Sequence, residues 1–136
     1  MDCIFCKIIA GDIPSHKVYE DHATLAFLDI NPAQRGHTLV IPKQHAADLI
    51  AIPADALYAV ARATQHVAQQ LQHVVQPDGV NVVQSNGAAA GQTVFHYHVH
   101  LIPRFTNDHV LRLWQPSPTD HAALGALATE LRNTGA

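Results

Sequence analysis

His96-Tyr97-His98-Val99-His100-Leu101-Ile102 carries an imidazole at every second position. On an extended strand alternate side chains share a face. The run therefore reads as a strand over His96–Pro103, with His96, His98 and His100 on one face and Tyr97, Val99 and Leu101 on the other. Neighbouring imidazoles start about 6.6 Å apart, and the outer two about 13 Å apart, at the backbone. Histidines so spread do not easily converge on one metal ion. A row with separate roles fits better, one ring attacking while its neighbours orient, donate or bind. Three histidines at period two point to a functional face rather than an ordinary polar one, because perturbed imidazoles gather at sites of chemistry.

The segment that leads into this strand is a loop of small residues, Ser85-Asn86-Gly87-Ala88-Ala89-Ala90-Gly91-Gln92. Its side chains block little, and its backbone N–H groups are candidates for a phosphate-binding nest. Gln92 and Thr93 add polar groups without charge. Further out, residues 3–10 read as a short helix stopped by Gly11. Val18–Glu20, Thr24–Asp29, Gly36–Pro42 and Val80–Gln84 read as strands. One long helix begins near Pro53 and Asp55, repeats apolar residues from Leu57 to Val74 at three- and four-residue spacing, and ends before Pro77-Asp78-Gly79. A last helix fits Thr119–Arg132, with Leu124, Leu127, Ala128 and Leu131 on one side. Strands outnumber helices and do not alternate with them. The expected class is α+β with a five-stranded, mainly antiparallel sheet, one long helix and one or two short ones. Neither a G-x-G-x-x-G nor a P-loop lysine motif occurs.

Composition narrows the function classes. The chain has 136 residues, which suits one domain over 1–136. It is 48% hydrophobic and 14% charged, the composition of a globular protein. A net charge of −3 gives no basic footprint for nucleic acid. A phosphate ligand would have to be held by local donors. The N-terminal Met1-Asp2-Cys3-Ile4-Phe5-Cys6-Lys7 reads as neither a signal peptide nor a membrane span, so a cytoplasmic setting without membrane partners is expected. In a reducing compartment Cys3 and Cys6 suggest metal or redox chemistry before a structural disulfide.

The stretch Gly91-Gln92-Thr93-Val94-Phe95-His96-Tyr97-His98-Val99-His100-Leu101-Ile102-Pro103-Arg104 resembles the signature of the histidine triad (HIT) family, His-φ-His-φ-His-φ-φ with φ apolar. The resemblance continues in Phe27-Leu28-Asp29-Ile30-Asn31-Pro32, in His37-Thr38-Leu39-Val40-Ile41-Pro42-Lys43 and in Cys3-Ile4-Phe5-Cys6-Lys7-Ile8-Ile9. It spans the chain to about residue 105 and leaves 106–136 unaligned. It implies a homodimer in which two five-stranded sheets join into a continuous ten-stranded one, acting on purine nucleotides such as AMP or GMP conjugates. It also implies residue roles. His98 matches the nucleophile, Asp29 the residue that binds the ribose hydroxyls, and Ile4, Phe5, Ile8, Leu28 and Ile30 the base pocket. Ser85, Thr93, His37 and His100 match positions around the phosphate and leaving group. Ser85 stands where Asn or Gln is frequent in the family, and Asn86 beside it is the candidate to take that place.

Elementary chemistry agrees with the assignment of His98. A neutral imidazole is a competent nucleophile near pH 7, with an ordinary pKa of about 6.5. Its other ring nitrogen must keep the proton and be held, for which a backbone carbonyl serves. Attack at the α-phosphorus would give a nucleotidyl-histidine that water then releases, with no metal required on the phosphate.

Cys3-x-x-Cys6 is half of a tetrahedral zinc site by spacing. His45 follows the Gly36–Pro42 strand and His96 begins the next candidate strand, so antiparallel pairing of the two would bring both imidazoles together. Bacterial-type members of the resembling family hold structural zinc at these four positions. Free thiols and a redox pair are the alternatives, though the βαβ context of a thioredoxin-like pair is missing. For the whole protein, the rivals to phosphoramidate or ester hydrolysis are dinucleoside polyphosphate hydrolysis and nucleotide binding with little turnover. The dinucleotide branch tends to carry Asn at the position of Asp29.

Overall fold

The computed structural model describes residues 2–135. Helix α1 spans Ile4–Ala10, with the Cys3 side chain capping its first turn and Gly11 at φ 84° ending it. Strands β1 (Lys17–Glu20), β2 (Thr24–Leu28) and β3 (Thr38–Pro42) come next. Helix α2 is Ala54–Val74, β4 is Gly79–Val83, β5 is Val99–Arg104 and α3 is His121–Arg132. The five strands form one antiparallel sheet in the order β1-β2-β3-β5-β4.

Alternation along each strand sorts the core into two layers. Ala26, Val40, Val99 and Leu101 face α2 and pack on Val60, Ala63, Val67 and Leu71. Leu25, Phe27, Leu39 and Ile41 face the other way and pack on Cys3, Phe5 and Ile8 of the α1 segment. With both faces covered, β2 and β3 read as almost unbroken apolar runs. Two helices on opposite faces thus grip β2 and β3, and β3 is the strand paired with β5 and its histidine. Among the described residues, no helix is long and apolar enough to cross a membrane.

Two strand starts differ from the sequence reading by more than one residue. The segment Gly36–Pro42 enters the ladder only at Thr38, because Gly36 sits at φ 90° in the turn before it. The run His96–Pro103 pairs only from Val99 onward, where Val99 faces Val40 and His100 faces Leu39. His96 and His98 precede the ladder because local bonds claim that backbone. The Tyr97 N–H donates to Ala46 O at 2.7 Å, and the His98 ring bonds back to the His96 carbonyl. The alternation of sides survives: Tyr97 joins the α2 layer with Val99 and Leu101, while His96 and His98 contact Phe5 of α1.

Candidate active site and metal centre

The sheet face covered by α1 ends in a cleft of about 370 Å³. Ile4, Phe5 and Ile8 come from α1, Ile13 to Ser15 from the loop after it, and Phe27 to Asn31 from β2 and its exit. Leu39, Thr93, Val94, His98 and His100 complete the lining. One end is apolar and the other carries a carboxylate and two imidazoles. A slightly larger groove of about 420 Å³ lies between α2 and the β1–β3 part of the sheet, but no histidine, cysteine or carboxylate lines it. A third hollow of about 500 Å³ is lined by His22, Lys43, Asp55 and Arg62 but by none of the alternating histidines, so the row of imidazoles selects the first cleft.

The hydrogen bonds determine which nitrogen of each ring holds its proton. His98 Nδ1 lies 2.8 Å from the His96 carbonyl, which can only accept, so Nδ1 carries the proton and Nε2 keeps a lone pair. The Ala33 N–H donates to His37 Nδ1 at 3.0 Å, so the neutral His37 ring is protonated at Nε2. That Nε2–H donates to His100 Nδ1 at 2.9 Å. His100 must then carry its own proton on Nε2. The adjacent rings of His98 and His100, with centroids 4.9 Å apart, thus offer opposite functions: a lone pair from one and an N–H from the other.

Electrostatics keeps His37 and His100 neutral at pH 7. Burial, with the rings of His98 and His37 adding to it and Asp29 opposing, pushes His100 down to about 4. Burial lowers His37 as well, with Asp29 again pulling the other way from 3.6 Å. Asp29 Oδ1 accepts the Asn31 N–H at 2.8 Å, which fixes the carboxylate at the exit of β2.

Part of the donor set of the small-residue loop is used within the loop itself. In the turn over 88–90 the N–H groups of Ala90, Gly91 and Gln92 are taken up by Gly87 O and Ala88 O. The Gln92 side chain is buried and anchors the loop: it accepts from the Gly87 N–H and donates to Ala47 O and Val94 O. Asn86 accepts from the Leu49 N–H and exchanges bonds with Gln84. The cleft lining therefore includes Thr93 but not Ser85, Asn86, Gly91 or Gln92, and His37 stands behind His100. Of the sequence candidates, Ile4, Phe5, Ile8, Leu28, Asp29, Ile30, Thr93, His98 and His100 do meet there. The sequence reading did not single out Ile13, Ser15, Asn31, Leu39 and Val94 as site residues, nor Phe27. Phe27 lies two positions before Asp29, so strand periodicity carried the signal for it.

Beside the cleft lies a second cluster. The candidate ligand atoms of Cys3, Cys6, His45 and His96 all lie within 4.8 Å of one another. Sulfur to Nδ1 distances are 3.4 Å for Cys3–His96, 3.4 Å for Cys6–His45 and 3.6 Å for Cys6–His96, and the two Nδ1 atoms are 3.1 Å apart. Zinc bonds of about 2.3 Å to sulfur and 2.05 Å to nitrogen give tetrahedral edges of about 3.6 Å (S–N) and 3.3 Å (N–N). These four edges match such a tetrahedron, and the other two lie within 4.8 Å. His96 Nε2–H donates to Pro42 O at 2.8 Å, so its Nδ1 lone pair faces the sulfurs, as an outer hydrogen bond orients a metal-bound imidazole. Burial, reinforced by Cys3, raises the Cys6 thiol, a penalty on paired thiolates that a cation would offset. Phe5 touches both sites edge-on, 5.2 Å from the His98 ring and 5.8 Å from that of His96.

Known proteins resemble this chain in sequence and fold. The family model described as the HIT domain matches residues 10–107. The chain is 46% identical over 121 residues to Protein hit of Bacillus subtilis, covering 88% of this chain and 83% of that protein. It is 42% identical over 107 residues to adenylylsulfatase HINT3 of Arabidopsis thaliana, covering 79% of this chain and 54% of that one. A crystal structure of a HIT family member from Bacillus subtilis superposes with a TM-score of 0.94 at 39% identity, covering 100% of this chain and 99% of the other. A histidine triad nucleotide-binding protein from Candida albicans gives 0.87 at 40% identity, covering 96% and 95%. A zinc-bound histidine triad family protein from Mycobacterium smegmatis gives 0.78 at 39%, covering 96% and 98%. With the sheet, the alternating imidazoles and these likenesses in agreement, the chain belongs to the HIT family.

Proposed function

We propose that the protein is a nucleotide hydrolase or transferase that acts at the α-phosphate of purine nucleotides, on phosphoramidates or esters of AMP or GMP, through a nucleotidyl-histidine. The observation that carries this reading is the pairing of a lone pair on His98 Nε2 with an N–H on His100 Nε2. Membership of the family, the adenylylsulfatase relative and the nucleotide-binding relative support nucleotide chemistry at the general level. In the proposed reaction His98 Nε2 forms a bond to the α-phosphorus as the bond to the leaving group breaks. His100 Nε2–H hydrogen-bonds the leaving atom or a phosphoryl oxygen. The leaving group takes a proton from solvent as it departs; water then attacks phosphorus and returns a proton to solvent, the P–N bond breaks, and the nucleoside monophosphate departs with His98 neutral again. Asp29 takes the ribose hydroxyls, and the apolar end formed by Ile4, Phe5, Ile8, Leu28 and Ile30 takes the base. Ser85, Asn86, Gly91 and Gln92 support the loop beside Thr93 and contribute position instead of contact.

Adenosine phosphoramidate is the direct test. Turnover, with an AMP adduct on His98 found by mass spectrometry of the quenched reaction, is the expected result. Binding of AMP without turnover across phosphoramidates, esters and dinucleoside polyphosphates would leave only a binding module. Preference for dinucleoside polyphosphates would select the rival hydrolase branch, which Asp29 argues against.

We further assign zinc to Cys3, Cys6, His45 and His96, on the tetrahedral edges and on the zinc-bound relative. It would be a closed, structural ion that joins the α1 segment to the loops flanking β3 and β5. Elemental analysis of untagged protein should give one zinc per chain. Homodimerisation is the remaining proposal. Strand β4 is an open sheet edge, and Val82 on it is exposed beside a groove whose wall includes Leu57, Val60, Tyr97 and Val99. Joining two β4 edges would cover this groove and complete a ten-stranded sheet, which sedimentation would report as a dimer.

A further inference from the structure

The chain has two cysteines, and both lie in the metal cluster. They differ in access. Cys3 is 8% exposed, caps the first turn of α1 and clusters with Phe5, Leu25 and Phe27. Cys6 is half-buried, and its contact with His45 lies at the surface. The two sulfurs are within 4.8 Å of each other. They stand three residues apart at the start of one helix, the spacing at which the Cys-x-x-Cys pairs of thiol oxidoreductases open and close a disulfide. The thiolate is the reactive form of cysteine, and a metal ion holds its cysteine ligands in that form. Phe5 gives such reactivity a route to the nucleotide cleft. It lies between the two cysteines in sequence, and its ring is edge-on to His96 at 5.8 Å and to His98 at 5.2 Å. Ile4, on the same turn, lines the cleft with it. Cys3 meets His96, and Cys6 meets His45 and His96, so both side chains tie this turn to the end of the sheet.

We propose that Cys6 is an oxidation site for hydroperoxides, resolved by Cys3 into a disulfide that empties the metal cluster and loosens the α1 wall of the cleft. This rests on the zinc assignment, and only its effect on the cleft rests on the nucleotide reading. The Cys6 thiolate attacks the outer oxygen of the peroxide. The S–O bond forms as the O–O bond breaks, and the departing alkoxide or hydroxide takes a proton from water. Sulfur has lost two electrons and the peroxide has gained them. The Cys3 thiolate then attacks Cys6 Sγ, the S–S bond forms, and hydroxide leaves and is protonated. Neither sulfur is then a thiolate, and two imidazoles are too few to complete a tetrahedral zinc site. The nearness of Cys3 consumes the sulfenic acid before a second peroxide carries it to the irreversible sulfinic state. A dithiol reductant reverses the change by exchange.

The test uses the full chain loaded with zinc and titrated with hydrogen peroxide beside a weak chromogenic zinc chelator. Zinc should be released as the intact mass falls by two hydrogens, and peptide mapping should give a Cys3–Cys6 disulfide. With dimedone present from the start, the early adduct should fall on Cys6 and not on Cys3. Calorimetry should show AMP binding weakened about fivefold or more, and dithiothreitol with zinc should restore it. Cys3→Ser should stop the reaction at an oxidised Cys6 without a disulfide; where that variant does not fold, the dimedone trap on the native chain reads the same order. An adduct on Cys3 first, oxidation to sulfinic acid without a disulfide, or a disulfide that leaves zinc in place each overturns the proposal. A disulfide that releases zinc but leaves AMP affinity unchanged overturns the link to the cleft. A reduced chain that holds no zinc overturns the metal assignment and the release with it. A reduced chain that binds no AMP overturns the nucleotide reading, while zinc, mass and dimedone still decide the oxidation.

Discussion

His98 and His100 are two residues apart, yet their environments give them complementary protonation. A carbonyl behind His98 clamps the proton on Nδ1, and an imidazole N–H behind His100 forces its proton onto Nε2. On the proposed chemistry, His98→Ala should lower turnover by a factor on the order of 10³ or more while AMP still binds, as steady-state kinetics and calorimetry would show. Asp29 admits a ligand-side test. Charge-assisted hydrogen bonds contribute about 1.5–3 kcal/mol each, so AMP should bind more tightly than 2′-deoxy-AMP, and Asp29→Ala should remove the difference. Equal affinities in the native protein would take Asp29 out of the ribose site. His100 also predicts a pH dependence of stability. Its pKa is about 4 when folded against an ordinary 6.5, because of burial and the facing rings of His98 and His37, with Asp29 opposing. The unfolded chain therefore binds the proton more readily. The contribution of neutral His100 is fully present above pH 6.5 and is lost progressively as pH falls from there to about 4. Thermal unfolding of His100→Asn should show a shallower decline than wild type across that window.

At the scale of elements, the α1 segment belongs to both sites. Cys3 and Cys6 face the metal cluster, and Ile4, Phe5 and Ile8 face the cleft. Cys3→Ser with Cys6→Ser should lower the melting temperature by about 3–6 °C for each kcal/mol lost and weaken AMP binding. The chemical step in the folded fraction should stay close to wild type. Unchanged melting and affinity, together with metal-free protein after zinc supplementation, would refute the assignment. The turn before β3 gives a second test. Gly36 has φ 90°, and a Cβ there would lie 3.1 Å from Pro103 Cγ, 3.2 Å from Val75 Cγ2 and 3.3 Å from Leu71 Cδ2. Gly36→Ala combines left-handed strain with contact against three packed side chains, so a loss of about 1–3 kcal/mol in urea unfolding is expected.

For the molecule as a whole, the proposed dimer makes stability a function of concentration. Ligation of one copy by another shifts unfolding by mass action, so dilution should lower the melting temperature until the monomer dominates. A melting temperature independent of concentration, in a sample that sediments as a monomer, would refute it. The order of the sheet puts β4 at the edge next to β5 and β1 at the other, so pairing through β4 would bring the two histidine strands into one continuous sheet.

Local periodicities were legible in the chain alone. The short apolar runs in Thr24–Leu28 and Thr38–Pro42, the spacing of apolar residues over Ala54–Val74, and the Gly11 stop of α1 are written within a few residues of where they act. Periodicity placed His96, His98 and His100 on one side, and their distances already argued that they would not share one ion. How they divide was settled by long-range packing. His96 meets Cys3 across 93 positions and His100 meets His37 across 63, contacts that no local pattern encodes. The same holds for the loop over 85–92. Its small residues suggested open N–H donors, but a single 3-10 turn closes on bonds of its own. The N–H groups of Ala90, Gly91 and Gln92 bond within that turn, and Gln92 points inward as its anchor. Side-chain type and spacing come from the chain's local geometry; the ring nitrogen that keeps each proton depends on the groups that long-range packing sets opposite it.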